Sequence, residues 1–159
     1  MRKWGILCFV VLCIFFWQAA SVYHTAIGQK QSLMETARKR AIERVAFARI
    51  DQVYTYYGEK TYIVFMGDDR KGARKIVWVP EKSGSIVVKD AKSGITQEEA
   101  IKKLTAERNP KKIVSAKLGM EKGVPLWELT YIDQNNRYSF YYLSFKDGAF
   151  LKRYSFQQS

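Results

Sequence analysis

A run of twenty residues without a charged side chain, Trp4 to Tyr23, follows directly on Arg2 and Lys3. Twenty residues at ~1.5 Å of rise reach about 30 Å, the thickness of a bilayer's hydrocarbon core, so the run predicts a membrane-spanning helix. Its flanks set the direction. Arg2 and Lys3 precede it, whereas only His24 follows before Lys30, and the positive-inside rule therefore puts the amino terminus in the cytoplasm and the C-terminal remainder outside. A cleaved signal peptide is the alternative, since Ala19-Ala20-Ser21 offers small residues at a suitable spacing. Against it, the apolar run is long for a signal and Trp17 and Gln18 interrupt the approach to that site. Cys13 is preceded by the bulky Leu12, which speaks against a lipoprotein. The expectation is a single-pass signal-anchor in the cell membrane.

Both cysteines, Cys8 and Cys13, lie inside the run, so the exported part has no thiol and must fold without disulfides. An extracytoplasmic domain of that kind suits a Gram-positive bacterium. The chain carries a formal charge of +12, and without Arg2 and Lys3 the remainder holds 25 basic against 15 acidic residues, a balance of +10. Near a membrane this favours anionic lipid heads, weak contact with anionic wall polymers, or an acidic protein face. The topology removes nucleic acid from reach.

Residues 24–31 read as a linker. From Ser32 to Ala48, Leu33, Met34, Ala37, Ala41, Val45 and Ala48 recur at helical spacing, with Arg38, Lys39, Arg40 and Glu43 on the remaining surface. This predicts a helix packed on a sheet by its apolar stripe, a helix on the lipid surface being the alternative. From Asp51 the pattern turns to β-rich runs: Gln52 to Tyr57, Thr61 to Met66, Lys75 to Val79 and Ser85 to Lys89, separated by Gly- and Asp-rich turns. Ile95-Thr96-Gln97-Glu98-Glu99-Ala100 then carries a capping box, Thr96 with Glu99, and opens a second helix that Asn109-Pro110 ends. Four further runs follow: Ile113 to Leu118, Leu126 to Ile132, Tyr138 to Phe145 and Phe150 to Phe156.

The two halves align as units. Tyr62 to Phe65, Lys75 to Val79 and Ser83-Gly84 correspond to Leu126 to Leu129, Ser139 to Leu143 and Asp147-Gly148, at an offset of 64 residues with one loop a residue shorter. The expected architecture is α+β: an N-terminal transmembrane helix (1–23), then two tandem units (32–92 and 93–159), each a helix on a three- to four-stranded antiparallel sheet. Units of about 60 residues have small cores, so the two are expected to stabilise one another.

This arrangement, with Gly94-Ile95-Thr96-Gln97-Glu98-Glu99-Ala100-Ile101 opening the second unit, resembles the TseB-like (YpmB-like) membrane proteins of Gram-positive bacilli. The second unit is similar to a PepSY domain, and both units look cystatin-like. The resemblance covers essentially the whole chain. It implies a regulator of cell-wall elongation, and hence of peptidoglycan synthesis, that acts outside the membrane by contacting a penicillin-binding protein or another cell-wall synthesis protein. It brings no active-site residues with it. PepSY units also resemble protease propeptides, which keeps open an inhibitor or propeptide-like chaperone of an extracellular protease.

The residues point to a non-enzyme with no catalytic, cofactor-binding or metal-binding set. One histidine, His24, stands beside the predicted span, and a single His without Cys cannot supply a zinc cluster. Asp68-Asp69 reads as a solvated turn rather than a cation loop, and Glu98-Glu99 as helix capping. What remains is aromatic surface. Alternation puts Tyr138, Phe140 and Tyr142 on one sheet face and Tyr141, Leu143 and Phe145 on the other. A helix covers only one face, so the other must meet the second unit, a partner or water. Tyr54, Tyr56, Trp78, Trp127, Tyr138 and Tyr141 are the candidate partner-binding residues, because Tyr, Trp and Arg are enriched at interface hot spots. An exposed strand edge could also accept a partner strand.

Overall fold

A computed structural model describes residues 16–18 and 31–157. The predicted span, both cysteines, His24 and the linker lie outside those residues, except that Phe16, Trp17, Gln18 and Gln31 are helical and exposed. No helix among the described residues is long and apolar enough to cross a membrane. The chain divides into two units after Thr36, and among the described residues the β-structure belongs to the second.

Helix α1 covers residues 31–44. Within the second unit it turns Ala37 and Ala41 into the core, followed by Val45 just past its end, each less than a tenth exposed. Arg40 ties it to the sheet by donating to the carbonyl of Pro80 at 2.9 Å. The helix stops four residues short of the predicted end at Ala48, because Phe47 onwards is claimed by strand pairing that reaches Phe47↔Asp69. Tertiary pairing overrides the favourable helix propensity of Ala46, Ala48 and Arg49.

Strands β1 (Phe47–Tyr57), β2 (Thr61–Asp69), β3 (Arg74–Pro80) and β4 (Val87–Asp90) form an antiparallel sheet in sequential order. A 3-10 turn at Ala91–Ser93 leads to α2 (Gln97–Arg108). Thr96 accepts from the Glu99 N–H and the Glu99 carboxylate accepts from the Thr96 N–H, the predicted capping box. Asn109, at φ 42°, ends the helix in the left-handed conformation, which Asn tolerates better than most residues. A second sequential sheet follows: β5 (Lys112–Glu121), β6 (Val124–Ile132), β7 (Arg137–Ser144) and β8 (Phe150–Gln157).

The repeat persists in the pairing. Tyr62 faces Pro80 as Leu126 faces Ser144, preserving the offset of 64 in the central strands. Asp69 and Asp133, also 64 apart, each fold the turn between those strands: Asp69 accepts from the N–H groups of Lys71 and Ala73, and Asp133 from those of Asn135 and Arg137. The outer strands depart from it. Tyr56 faces Tyr62 whereas Gly119 faces Leu126, an offset of 63, because a three-residue turn joins β1 to β2 and the two residues Lys122-Gly123, both at positive φ, join β5 to β6. Positive φ at both turn positions matches the strand twist of a tight hairpin.

One buried cluster crosses from sheet to sheet. Tyr56, Val64, Ile76 and Trp78 of the first join Leu118, Met120, Leu126, Trp127 and Leu143 of the second, with Ala100 and Leu104 of α2. Trp78 meets Phe145 edge to face at 6.0 Å between centroids. The opposite face of the first sheet, Ile63, Phe65, Val77 and Val79, is buried as well. Burial of both faces needs a cover on each, the second sheet on one and α1 on the other.

Candidate interaction surface

The six aromatic residues expected to bind a partner divide sharply. Trp78 and Tyr141 are fully buried, Tyr56 and Trp127 are 2% and 5% exposed, and all four pack the core. They present no surface in this fold. Trp127 is fixed further by its indole N–H, which donates to the carbonyl of Ile95 at 2.9 Å. The Tyr141 hydroxyl donates to Glu107, and Arg108 lies over its ring at 5.7 Å. Burial first, and then the Glu107 charge, push that phenol up to about 12. Tyr54 is half-buried; its hydroxyl accepts from the N–H of Leu118 at 2.9 Å, 64 residues away. Tyr138 alone of the six stands on the open face of the second sheet.

That face is an aromatic ladder. Register places Tyr138 opposite Phe156, Phe140 opposite Tyr154 and Tyr142 opposite Lys152. Tyr138 and Phe140 meet edge to face at 5.4 Å, Phe140 and Phe156 at 6.2 Å, and Tyr142 and Tyr154 at 6.1 Å. The Lys152 ammonium sits over the Tyr142 and Tyr154 rings at 4.5 and 5.3 Å and pairs with Glu121. Cation–π contacts of this kind add roughly 0.5–1 kcal/mol where exposed. Tyr142 is buried at the inner end, where Tyr56 and Glu128 adjoin it, while Tyr154 and Phe156 at the outer end are 49% and 59% exposed. The ladder therefore runs from the core into solvent.

Tyr154, Phe156 and Phe150 were absent from the expected contact set. Their signal was the alternation of Lys152, Tyr154 and Phe156 in the last run, which the structure makes an edge strand of the second sheet.

The acidic pairs have structural employment. Asp68 joins Arg49 and Arg74 in an exposed ion network with Asp51, Asp69 folds its turn, and Glu98 and Glu99 stand in the first turn of α2. Among the described residues no three His, Cys, Asp or Glu side chains converge on a metal-sized site. A cleft of about 630 Å³ opens between β4 and the second sheet, lined by Val88, Lys89, Val124, Pro125 and Phe145 among others and by no residue of the aromatic ladder.

The comparisons agree with this architecture. Residues 36–80 match the family described as the cell wall elongation regulator TseB-like domain, and residues 94–154 the peptidase propeptide and YPEB domain, or PepSY. The chain is 37% identical over 157 residues to the probable cell wall elongation regulator TseB of Bacillus subtilis (strain 168), covering 96% of this chain and 98% of that one. Among solved structures it superposes on the YpmB protein from Bacillus subtilis with a TM-score of 0.72 at 38% identity, covering 76% of this chain and 95% of that one. Near-complete coverage at this identity, with both halves matched in order, makes the chain a member of the TseB-like family of cell-wall elongation regulators.

Proposed function

We propose that the protein is a non-enzymatic interaction module, anchored in the cell membrane by residues 1–23, joined by a linker at 24–31 to the units 32–92 and 93–159, which contacts a penicillin-binding protein outside the membrane and so regulates cell-wall elongation. The cystatin-like outline of each unit belongs to the same reading. The observation that carries it is the open end of the aromatic ladder at Tyr138, Phe140, Tyr154 and Phe156 on the second sheet. Kinship to a cell-wall elongation regulator along the whole chain points the same way. The anchor's role is to raise the module's effective concentration near an enzyme of the same membrane.

Cross-linking in intact cells followed by recovery of the full chain tests it. A penicillin-binding protein should be enriched, and enrichment should drop when residues 1–23 are replaced by a cleavable signal. Recovery of no wall-synthesis protein with either form rejects the proposal.

The PepSY match at 94–154 favours a second reading, inhibition or propeptide-like chaperoning of an extracellular protease. Incubating the protein with secreted proteases distinguishes the two, since unchanged protease activity and refolding yield dismiss it.

A further inference from the structure

Two sheets of four strands have four edges, and three of them are blunted. On β5 the Leu118 N–H and carbonyl are taken by the Tyr54 hydroxyl at 2.9 and 3.3 Å. β1 carries register shifts between Phe47 and Arg49 and between Ile50 and Gln52, together with the ion network of Arg49 and Asp51. β4 is four residues long and ends in Lys89 and Asp90. Such short, bulged, charged or covered edges are how natural sheets avoid unwanted pairing. β8 is different. It has one register shift, at Leu151 near its start, and then runs in unbroken register with β7 from Lys152 to Gln157. It pairs only with β7 and leaves Phe150, Leu151, Tyr154 and Phe156 each more than 40% exposed.

The charges around β8 choose what fits. Its sequence, FLKRYSFQ, has two cations and no acid. Lys152 is engaged by Glu121, whereas among the described residues neither Arg153 nor Arg108 is in an ion pair. Arg153 lies opposite Tyr141, the ring that Arg108 covers, so both cations serve the helix side of the edge. A second copy would bring two more cations to the same ladder from a chain of +12, and like charges opposed across strands are unfavourable.

We infer that β8 is a docking edge: an extended acidic segment of a partner protein adds to the second sheet as a fifth strand beside Phe150–Gln157. Its carboxylates lie near Arg153 and Arg108, and its alternate apolar side chains continue the Tyr154 and Phe156 ladder. Backbone hydrogen bonds supply affinity in this mode, and the alternating side chains supply selectivity. The inference rests on the reading of the protein as an interaction module and names the surface and the chemistry of the segment it takes.

The test uses the full chain in detergent with two synthetic ten-residue peptides, one alternating glutamate with valine and one alternating lysine with valine, read by amide hydrogen exchange. The acidic peptide should slow exchange along β8 by about tenfold or more while α2 is unchanged, and the lysine peptide should not. Arg153→Glu should abolish the response to the acidic peptide and leave exchange elsewhere intact. No slowing by the acidic peptide overturns the inference, as does slowing along β8 that grows with protein concentration alone, which would make a second copy the occupant. If Arg153→Glu still recovers a penicillin-binding protein from cells at the parental level, the edge is wrong while the proposed function stands. If the peptide seats but no wall-synthesis protein is recovered, the reverse holds.

Discussion

The ring of Tyr56 lies where a side chain at Gly119 would stand: a Cβ built on Gly119 meets Tyr56 Cζ at 2.3 Å. The two residues occupy corresponding positions in the two repeats, since they face Tyr62 and Leu126, which themselves correspond at the offset of 64. One unit's tyrosine therefore fills the place of its counterpart's missing side chain. Gly119→Ala should cost about 1–3 kcal/mol by overpacking, and Tyr56→Ala about 3–5 kcal/mol by leaving a cavity. Because removing the ring vacates the space, the double variant should lose clearly less than the sum in urea denaturation. Strict additivity would show that the contact is incidental. Gly67 provides the contrast: there a Cβ would meet the backbone oxygen of Arg49 at 2.1 Å beside a bulge of β1, so no side-chain deletion should rescue Gly67→Ala.

Thr96→Ala removes the acceptor for the Glu99 N–H, 3.2 Å away, and breaks the capping box of α2. A loss of about 1 kcal/mol is expected. Thermal denaturation that shows no difference would mean that packing of Ala100 and Leu104 alone holds this end of the helix.

Acid should destabilise the protein through the repeated turn aspartates. The Ala73 N–H holds the Asp69 carboxyl below its ordinary range, and the Arg137 N–H and then its guanidinium do the same for Asp133. A carboxyl depressed in the folded state contributes stability that is full above its unfolded value near ~4 and is lost as pH falls through the native value. Asp133→Asn keeps an oxygen for the two turn N–H groups but loses the charge, so its denaturation midpoint should fall less steeply between pH 5 and 2, taken as a rough window from the unfolded carboxylate range. Parallel decline of variant and parent would refute this.

Glu128 has the opposite sign. Partial burial raises its carboxyl, against the nearby Tyr142 and Tyr56 phenols and the charge of Lys117, which lower it. A raised native value means that its contribution is favourable at low pH and lost as pH rises through that value. Glu128→Gln should therefore match or exceed the parent in stability at neutral pH, with the difference shrinking toward the unfolded carboxylate range. A variant weaker at neutral pH than in acid, relative to the parent, would show that the attraction of the Lys117 charge and the neighbouring phenols outweighs desolvation.

The local devices of the fold were legible because each is specified within a few residues. The capping box at Thr96, the stop at Asn109-Pro110 and the turns between strands are all short-range chemistry, and the strand runs followed the period of two. The end of α1 was not, because Ala46 to Ile50 suits helix or strand and pairing of β1 out to Asp69 settles it. Alternation likewise sorted Tyr138, Phe140 and Tyr142 from Tyr141 and Leu143 but could not say which face a neighbour covers. Tyr and Trp fill cores as readily as interfaces, and four of the six expected contact residues went to the core.

Charge, thiol placement, repeat and the order of helices and strands are properties of near neighbours or of composition, and reading along the chain recovers them. Which aromatics stay in solvent depends on how two sheets meet, on Tyr54 blunting β5 and Tyr56 seating on Gly119. Those contacts join residues more than sixty positions apart. Burial is a sum over such distant neighbours, so the open edge at β8 and the ladder beside it emerge only when the units are packed.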